Sequence, residues 1–154
     1  MRQFIILAFC AVALTFSSCE KSISFEEQLA LDKETIRTWL ALNQLTATET
    51  ASGLNYIITQ QGSGTATPSI TDQVTVYYKG YLPEGEIFDQ TAPGTPAVFP
   101  LSQVIQGWQE GFQLLKKNSK AILLIPSYLG YGTQANGSIP ANSVLIFEVE
   151  LLDF

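Results

Sequence analysis

Gly107, Trp108 and Gly111 lie together in VIQGWQEGF, residues 104–112. The stretch reads as one short helix, yet a glycine costs a helix interior about 1 kcal/mol relative to alanine. Two of them are tolerated only if the backbone must approach a neighbouring element closely. Val104, Trp108, Gly111, Phe112 and Leu115 fall on one helical stripe and are expected to face the core. The indole then forms a flat apolar floor at the helix start. Above it, N–H groups near Val104 and Ile105 have no acceptor inside the helix and can be offered to a ligand carbonyl. Ser102 stands where its hydroxyl could cap one of them.

What the chain lacks narrows the chemistry further. It contains 0 histidines, which removes Ser-His-Asp triads, Cys-His dyads and nearly every zinc site. Net charge is −6, and there is no basic run beyond Lys116, Lys117 and Lys120, so nucleic acid is not an expected partner. The acidic residues show no metal-like spacing, and no cofactor is expected. GSG at 62–64 has neither the lysine nor the following helix of a phosphate loop. NGS at 136–138 reads as a turn.

Residues 1–18 have the pattern of an export signal: Arg2, an apolar run from Phe4 to Phe16 broken by Thr15, and small residues before Cys19. The run is short for a bilayer span. FSSCE resembles the end of a bacterial lipoprotein signal, although Phe16 stands where leucine is usual. The resemblance implies that Cys19 begins the mature chain and is diacylated through sulfur, giving an exported protein anchored to a membrane, periplasmic or surface-facing. Two or more acyl chains on one residue suffice for stable anchoring. Ordinary cleavage leaving Cys19 as a free thiol is the alternative. Cys10 would be removed with the signal, so no internal disulfide is expected.

Residues 19–52 form a tether and an amphipathic helix. Ser24 and Glu27 have capping-box spacing, and Phe25, Leu29, Ile36 and Leu40 recur at helical intervals. The helix is expected over 25–42, packed on its own domain, with 46–52 as a polar linker. From 53 to 154 the period changes to that of strands. LNYIITQ, QVTVYYKGYL, a short strand around Val98 and Phe99, KAILLIP and VLIFEVELLDF alternate or are rich in β-formers. The expected fold is α+β: a five- to six-stranded antiparallel sheet wrapped around one short helix, with an N-terminal helical extension.

VTVYYKGYLPEGEIFDQT, VIQGWQEGFQLLKKNSKAILLIP, YLGYG and SIPANSVLIFEVELL follow one another in the order and spacing of the FKBP-type peptidyl-prolyl cis-trans isomerases. The resemblance runs from about Gly53 to Phe154. It implies catalytic roles for Tyr78, Asp89, Trp108 and Tyr131, with Phe88, Phe99, Val104, Ile105, Ile139 and Phe147 binding substrate. The Trp108 indole would lie under a proline ring, the Ile105 N–H would meet a carbonyl, Tyr131 would supply a hydroxyl donor, and Asp89 would be hydrogen-bonded near Tyr78. Proline-containing exported polypeptides are the implied substrates, and macrolide inhibitors of the family the implied ligands. Three features depart from the family pattern. Ala97 stands where it often has another aromatic wall, Pro140 is followed by Ala141, and Gln134–Ser138 forms a loop of its own.

Isomerisation suits a chain without histidine, because rotation about an X-Pro bond breaks no bond and moves no proton from carbon. Two readings of the same pocket differ in class: an isomerase assisting the folding of exported proteins, and a non-catalytic module binding proline segments or unfolded chains. Packing alone is a sufficient role for Phe112, and Asp89 has the alternative role of a turn residue.

Overall fold

The computed structural model describes residues 23–154. The expected export signal and Cys19 lie outside the described residues. Helix α1 spans Phe25–Leu42, the bounds read from the sequence. The Ser24 hydroxyl accepts from the Glu27 N–H at 3.2 Å, and the Glu27 carboxylate accepts from the Ser24 N–H at 3.0 Å. This reciprocal pair satisfies two donors that a helix start otherwise leaves open. The helix ends at Asn43, after which Gln44 takes a φ of 56°.

Among the described residues seven antiparallel strands make one sheet. They are β1 Thr48–Glu49, β2 Asn55–Gln60, β3 Gln73–Tyr81, β4 Ile87–Gln90, β5 Ala97–Pro100, β6 Lys120–Ile125 and β7 Leu145–Asp153. The order is β1-β2-β6-β7-β3-β4, with β5 also paired to β3. β3 thus carries β7 on one side and, on the other, β5 along its first half and β4 along its second. β1 is the strand beyond the expected five or six and arises from the stretch expected as linker. Its two residues pair Thr48 with Tyr56 and Glu49 with Asn55 across a turn in which Gly53 has a φ of 84°. Two residues are too few to show any alternation in sequence.

The period of two sorts the long strands between two cores. Ala121, Leu123 and Ile125 of β6, with Leu145, Phe147, Val149 and Leu151 of β7, join the main core beneath helix α2, Gln106–Phe112. Leu124 and Ile146, from the alternate positions, meet Ile36 and Trp39 of α1 in a second cluster. The N-terminal helix therefore packs on its own domain, as expected.

Helix α2 begins two residues later than its sequence suggests. Val104 is extended (φ −96°, ψ 173°), and Ile105 is the N-cap, without a side-chain capping bond. Ser102 does not cap the helix: it lies in a 3-10 turn over Leu101–Gln103. Gln109 instead reaches back, its Nε2 donating to the Val104 carbonyl at 2.7 Å. The two glycines behave as expected. A Cβ on Gly107 would lie 2.5 Å from Cγ2 of Ile125, and one on Gly111 would lie 2.8 Å from Cδ1 of Leu123. Only a bare backbone permits α2 to rest this closely on β6.

Candidate functional site

A cavity of about 510 Å³ opens between α2 and the sheet. β3 contributes Tyr78, β4 Phe88 and Asp89, β5 Phe99, and β7 Phe147. Val104 and Ile105 come from the chain entering α2, Trp108 from its first turn, and Tyr131 and Ile139 from the long connection between β6 and β7. All ten residues expected in the pocket line it. They converge because β3, β4, β5 and β7 are neighbours in the sheet, while α2 and the 126–144 connection cross above them.

Trp108 is the hub. Its ring meets Tyr78 at 5.2 Å, Phe99 at 5.6 Å, Phe112 at 5.1 Å and Phe147 at 5.1 Å between centroids, each edge-to-face. Such packing fixes an indole from several sides and adds to the energy of burial itself. The ring is 4% exposed yet lines the cavity, so it forms a floor with its surroundings locked. Phe112 lies behind it, fully buried and absent from the lining, which assigns it to the core.

Phe88 stands edge-on to Phe147 at 5.4 Å. The room for this pair comes from Gly80, where a Cβ would lie 2.5 Å from Cε2 of Phe88 and 2.6 Å from Cε1 of Phe147. Sequence reasoning passed over Gly80, although a glycine inside a strongly alternating strand is a signal of close approach. Gln103, Asn136, Gly137 and Ser138 also line the cavity and were missed. The last three belong to a tight turn in which Asn136 and Ile139 exchange backbone hydrogen bonds at 2.9 Å and Gly137 has a φ of 59°. The NGS turn was legible; its direction, into the pocket, was not. Ala97 is not part of the lining; Phe99, two residues along the same strand, is.

Tyr78, Asp89, Gln103, Tyr131, Asn136 and Ser138 add polar groups to an otherwise apolar lining. The Tyr78 hydroxyl donates to Asp89 Oδ2 at 2.7 Å. Burial, and then the hydrogen bond to Asp89, push the Tyr78 phenol far above its ordinary range, so it stays protonated. The Tyr78 backbone is pinned as well: its carbonyl accepts from the Thr91 N–H at 3.0 Å, and its N–H donates to Thr91 Oγ1 at 3.2 Å. Tyr131, 36% exposed, brings a second hydroxyl to the rim. Among the described residues the Ile105 N–H, the N-cap amide of α2, has no hydrogen-bond acceptor. The described residues contain no group of side chains suited to holding a metal ion. The arrangement can seat a compact apolar ring and meet flanking carbonyls with a few fixed donors.

Comparison with known proteins gives a consistent answer. A model of the FKBP-type peptidyl-prolyl cis-trans isomerase family matches residues 64–152. The chain is 52% identical over 104 residues to an FKBP-type peptidyl-prolyl cis-trans isomerase FkpA of Aeromonas hydrophila, covering 67% of this chain and 38% of that one. It is 44% identical over 142 residues to a probable FKBP-type isomerase of Haemophilus influenzae, covering 91% of this chain and 58% of the relative. The crystal structure of FkpA from Escherichia coli superposes with a TM-score of 0.72 at 37% identity, covering 83% of this chain and 61% of that one. The chain thus spans between 38% and 58% of the length of these two curated relatives. The matched segment contains every residue that lines the cavity, and on these grounds the chain belongs to the FKBP-type peptidyl-prolyl cis-trans isomerase family.

Proposed function

We propose that this protein is a peptidyl-prolyl cis-trans isomerase that accelerates rotation of X-Pro bonds in exported polypeptides and so assists their folding. The observation that carries this reading is the Trp108 indole, held from several sides and still forming the floor of an open cavity.

Rotation about an X-Pro bond faces a barrier of about 18–20 kcal/mol because resonance gives the bond partial double-bond character. Uncatalysed exchange takes on the order of tens to hundreds of seconds. A twisted amide has lost part of its charge separation, so an apolar enclosure favours it over the planar ground state. The proline ring would rest on Trp108 between Tyr78, Phe99 and Phe147. The Ile105 N–H and the Tyr131 hydroxyl would hold carbonyls beside it, and Asp89 would orient Tyr78 without abstracting a proton. Each tenfold acceleration requires about 1.4 kcal/mol of differential stabilisation, which apolar walls and a few preorganised donors can supply.

Cys19 would begin the mature chain as a lipid-anchored residue, with 19–52 as tether and helix and 53–154 as the isomerase domain. The sequence before Cys19 supports this reading, and mass measurement of the membrane-extracted protein tests it. Macrolides of the kind that inhibit this family would compete for the same cavity.

The activity is tested by exchange spectroscopy or a protease-coupled assay on a short X-Pro peptide, with Trp108→Ala as control. Accelerated exchange that Trp108→Ala abolishes supports the isomerase. Binding of the peptide without acceleration overturns it in favour of a non-catalytic module.

A further inference from the structure

Asp32, in the middle of α1, is the one buried carboxylate among the described residues, 2% exposed. Burying such a group is costly unless donors surround it. Its Oδ2 accepts from the Ser127 N–H at 2.8 Å and from the Ser127 hydroxyl at 2.7 Å, and its Oδ1 accepts from Gln28 Nε2 at 2.7 Å. Two of these three bonds converge on a single residue 95 positions away in sequence.

Ser127 begins the 3-10 turn Ser127–Leu129, directly after β6 and Pro126. Its carbonyl accepts from the Gly130 N–H at 3.0 Å and the Gly132 N–H at 2.8 Å, the two amides that flank Tyr131. The far end of the same connection is held from the same helix. The Asn142 N–H donates to the Gly132 carbonyl at 2.7 Å, and Gln28 Nε2 also donates to the Asn142 carbonyl at 3.4 Å. A continuous chain of hydrogen bonds therefore runs from the Asp32 carboxylate, through one serine, to both sides of a pocket residue.

Apolar contacts also dock α1. Ile36 and Trp39 already pack the helix on Leu124, Val144 and Ile146, and an apolar residue at position 32 would avoid the desolvation cost. What a carboxylate adds is a directional grip on one partner.

We propose that Asp32 is a positioning residue for the pocket: through Ser127 it fixes the Gly130–Gly132 segment and with it the place of the Tyr131 hydroxyl. The helix outside the matched family segment thereby tunes the site. The inference rests on the isomerase reading only for its effect on rate; the mechanical part stands apart from it.

The test uses the full chain. It measures kcat/KM on an X-Pro peptide by exchange spectroscopy, together with amide hydrogen exchange at Gly130 and Gly132. Asp32→Ala is expected to speed exchange at both amides while leaving the central amides of β3 unchanged, and to lower kcat/KM about tenfold. In a Tyr131→Phe background the same substitution should cost less than about twofold, because the two changes act on one interaction. Asp32→Asn, which keeps an acceptor oxygen, should recover most of the loss. Unchanged amide exchange in Asp32→Ala overturns the proposal. So does a rate loss that is equal in both backgrounds and matched by Ile36→Ala, which loosens α1 while leaving both Asp32–Ser127 hydrogen bonds in place. Should Asp32→Ala not fold, Ser127→Ala removes one of the two bonds and carries the same comparison. If the wild-type chain does not accelerate exchange of the peptide, the isomerase reading falls, and the amide measurements alone decide the positioning role.

Discussion

The Tyr78 hydroxyl and the Asp89 carboxylate meet at 2.7 Å and join the inner face of β3 to β4 at the edge of the aromatic cavity. The phenol keeps its proton, so Asp89 is an acceptor here. If its part in catalysis is orientation, Asp89→Asn retains an acceptor oxygen and should keep kcat/KM within about tenfold of wild type, whereas Asp89→Leu should lose about a hundredfold. Complete loss in the Asn variant would point to proton chemistry instead.

Alkaline pH should destabilise the fold through tyrosines. Tyr78, Tyr81 and Tyr128 all have phenols raised above the ordinary value of 10.0, chiefly by burial. The folded chain therefore holds these protons to higher pH than the unfolded chain does. Their contribution to stability is fully present below about pH 10 and is lost as pH rises from there through the raised folded values. With no histidine in the chain, activity should be nearly flat from about pH 6 to 9. Urea midpoints measured from pH 8 to 12 check the first point; a midpoint that does not fall above pH 10 contradicts it.

Gly107→Ala inverts the usual helix rule. At an exposed helix position alanine would be better by about 1 kcal/mol. Here the new Cβ would enter space held by Ile125, so a loss of about 1–3 kcal/mol is expected. Gly111→Ala should cost less, because its contacts are the methyl ends of Leu123, the nearest at 2.8 Å. Denaturant midpoints of the two variants, compared with wild type, give both sign and order.

Trp108 and Phe112 touch one another but should separate in function. Trp108→Leu removes the floor and should depress kcat/KM at least about a hundredfold, with peptide affinity falling in parallel. Phe112→Leu, behind the indole and outside the lining, should cost about 1 kcal/mol of stability and leave kcat/KM within about threefold. Equal rate losses in the two variants would show that general packing, and not the indole surface, sets the rate.

Local pattern reached far into this structure where an element announces its own ends. α1 has both bounds in its sequence, because Ser24 and Glu27 satisfy its first donors and its apolar positions repeat at helical spacing. β3 and β7 were legible from alternation. α2 was placed two residues early because its N-cap, Ile105, has no side-chain acceptor to mark the start. β1 was missed because a two-residue strand is defined only by its partner. Of the pocket, the family motif supplied ten residues that the structure brings together. Gly80 escaped because its role depends on two rings, Phe88 and Phe147, that lie on other strands.

The sequence by itself determined what kind of chemistry is open to this protein. A chain with no histidine, an indole set between glycines and tyrosines near an aspartate can bind and orient, and its periodicities name the strands and helices that do so. Only the tertiary structure decided which apolar rings stay open to a ligand, and that a helix outside the matched segment grips the loop carrying Tyr131. The physical reason is that periodicity records which side of an element is buried. What lies against that side, another side chain or an open cavity, is set by contacts between residues far apart in the chain.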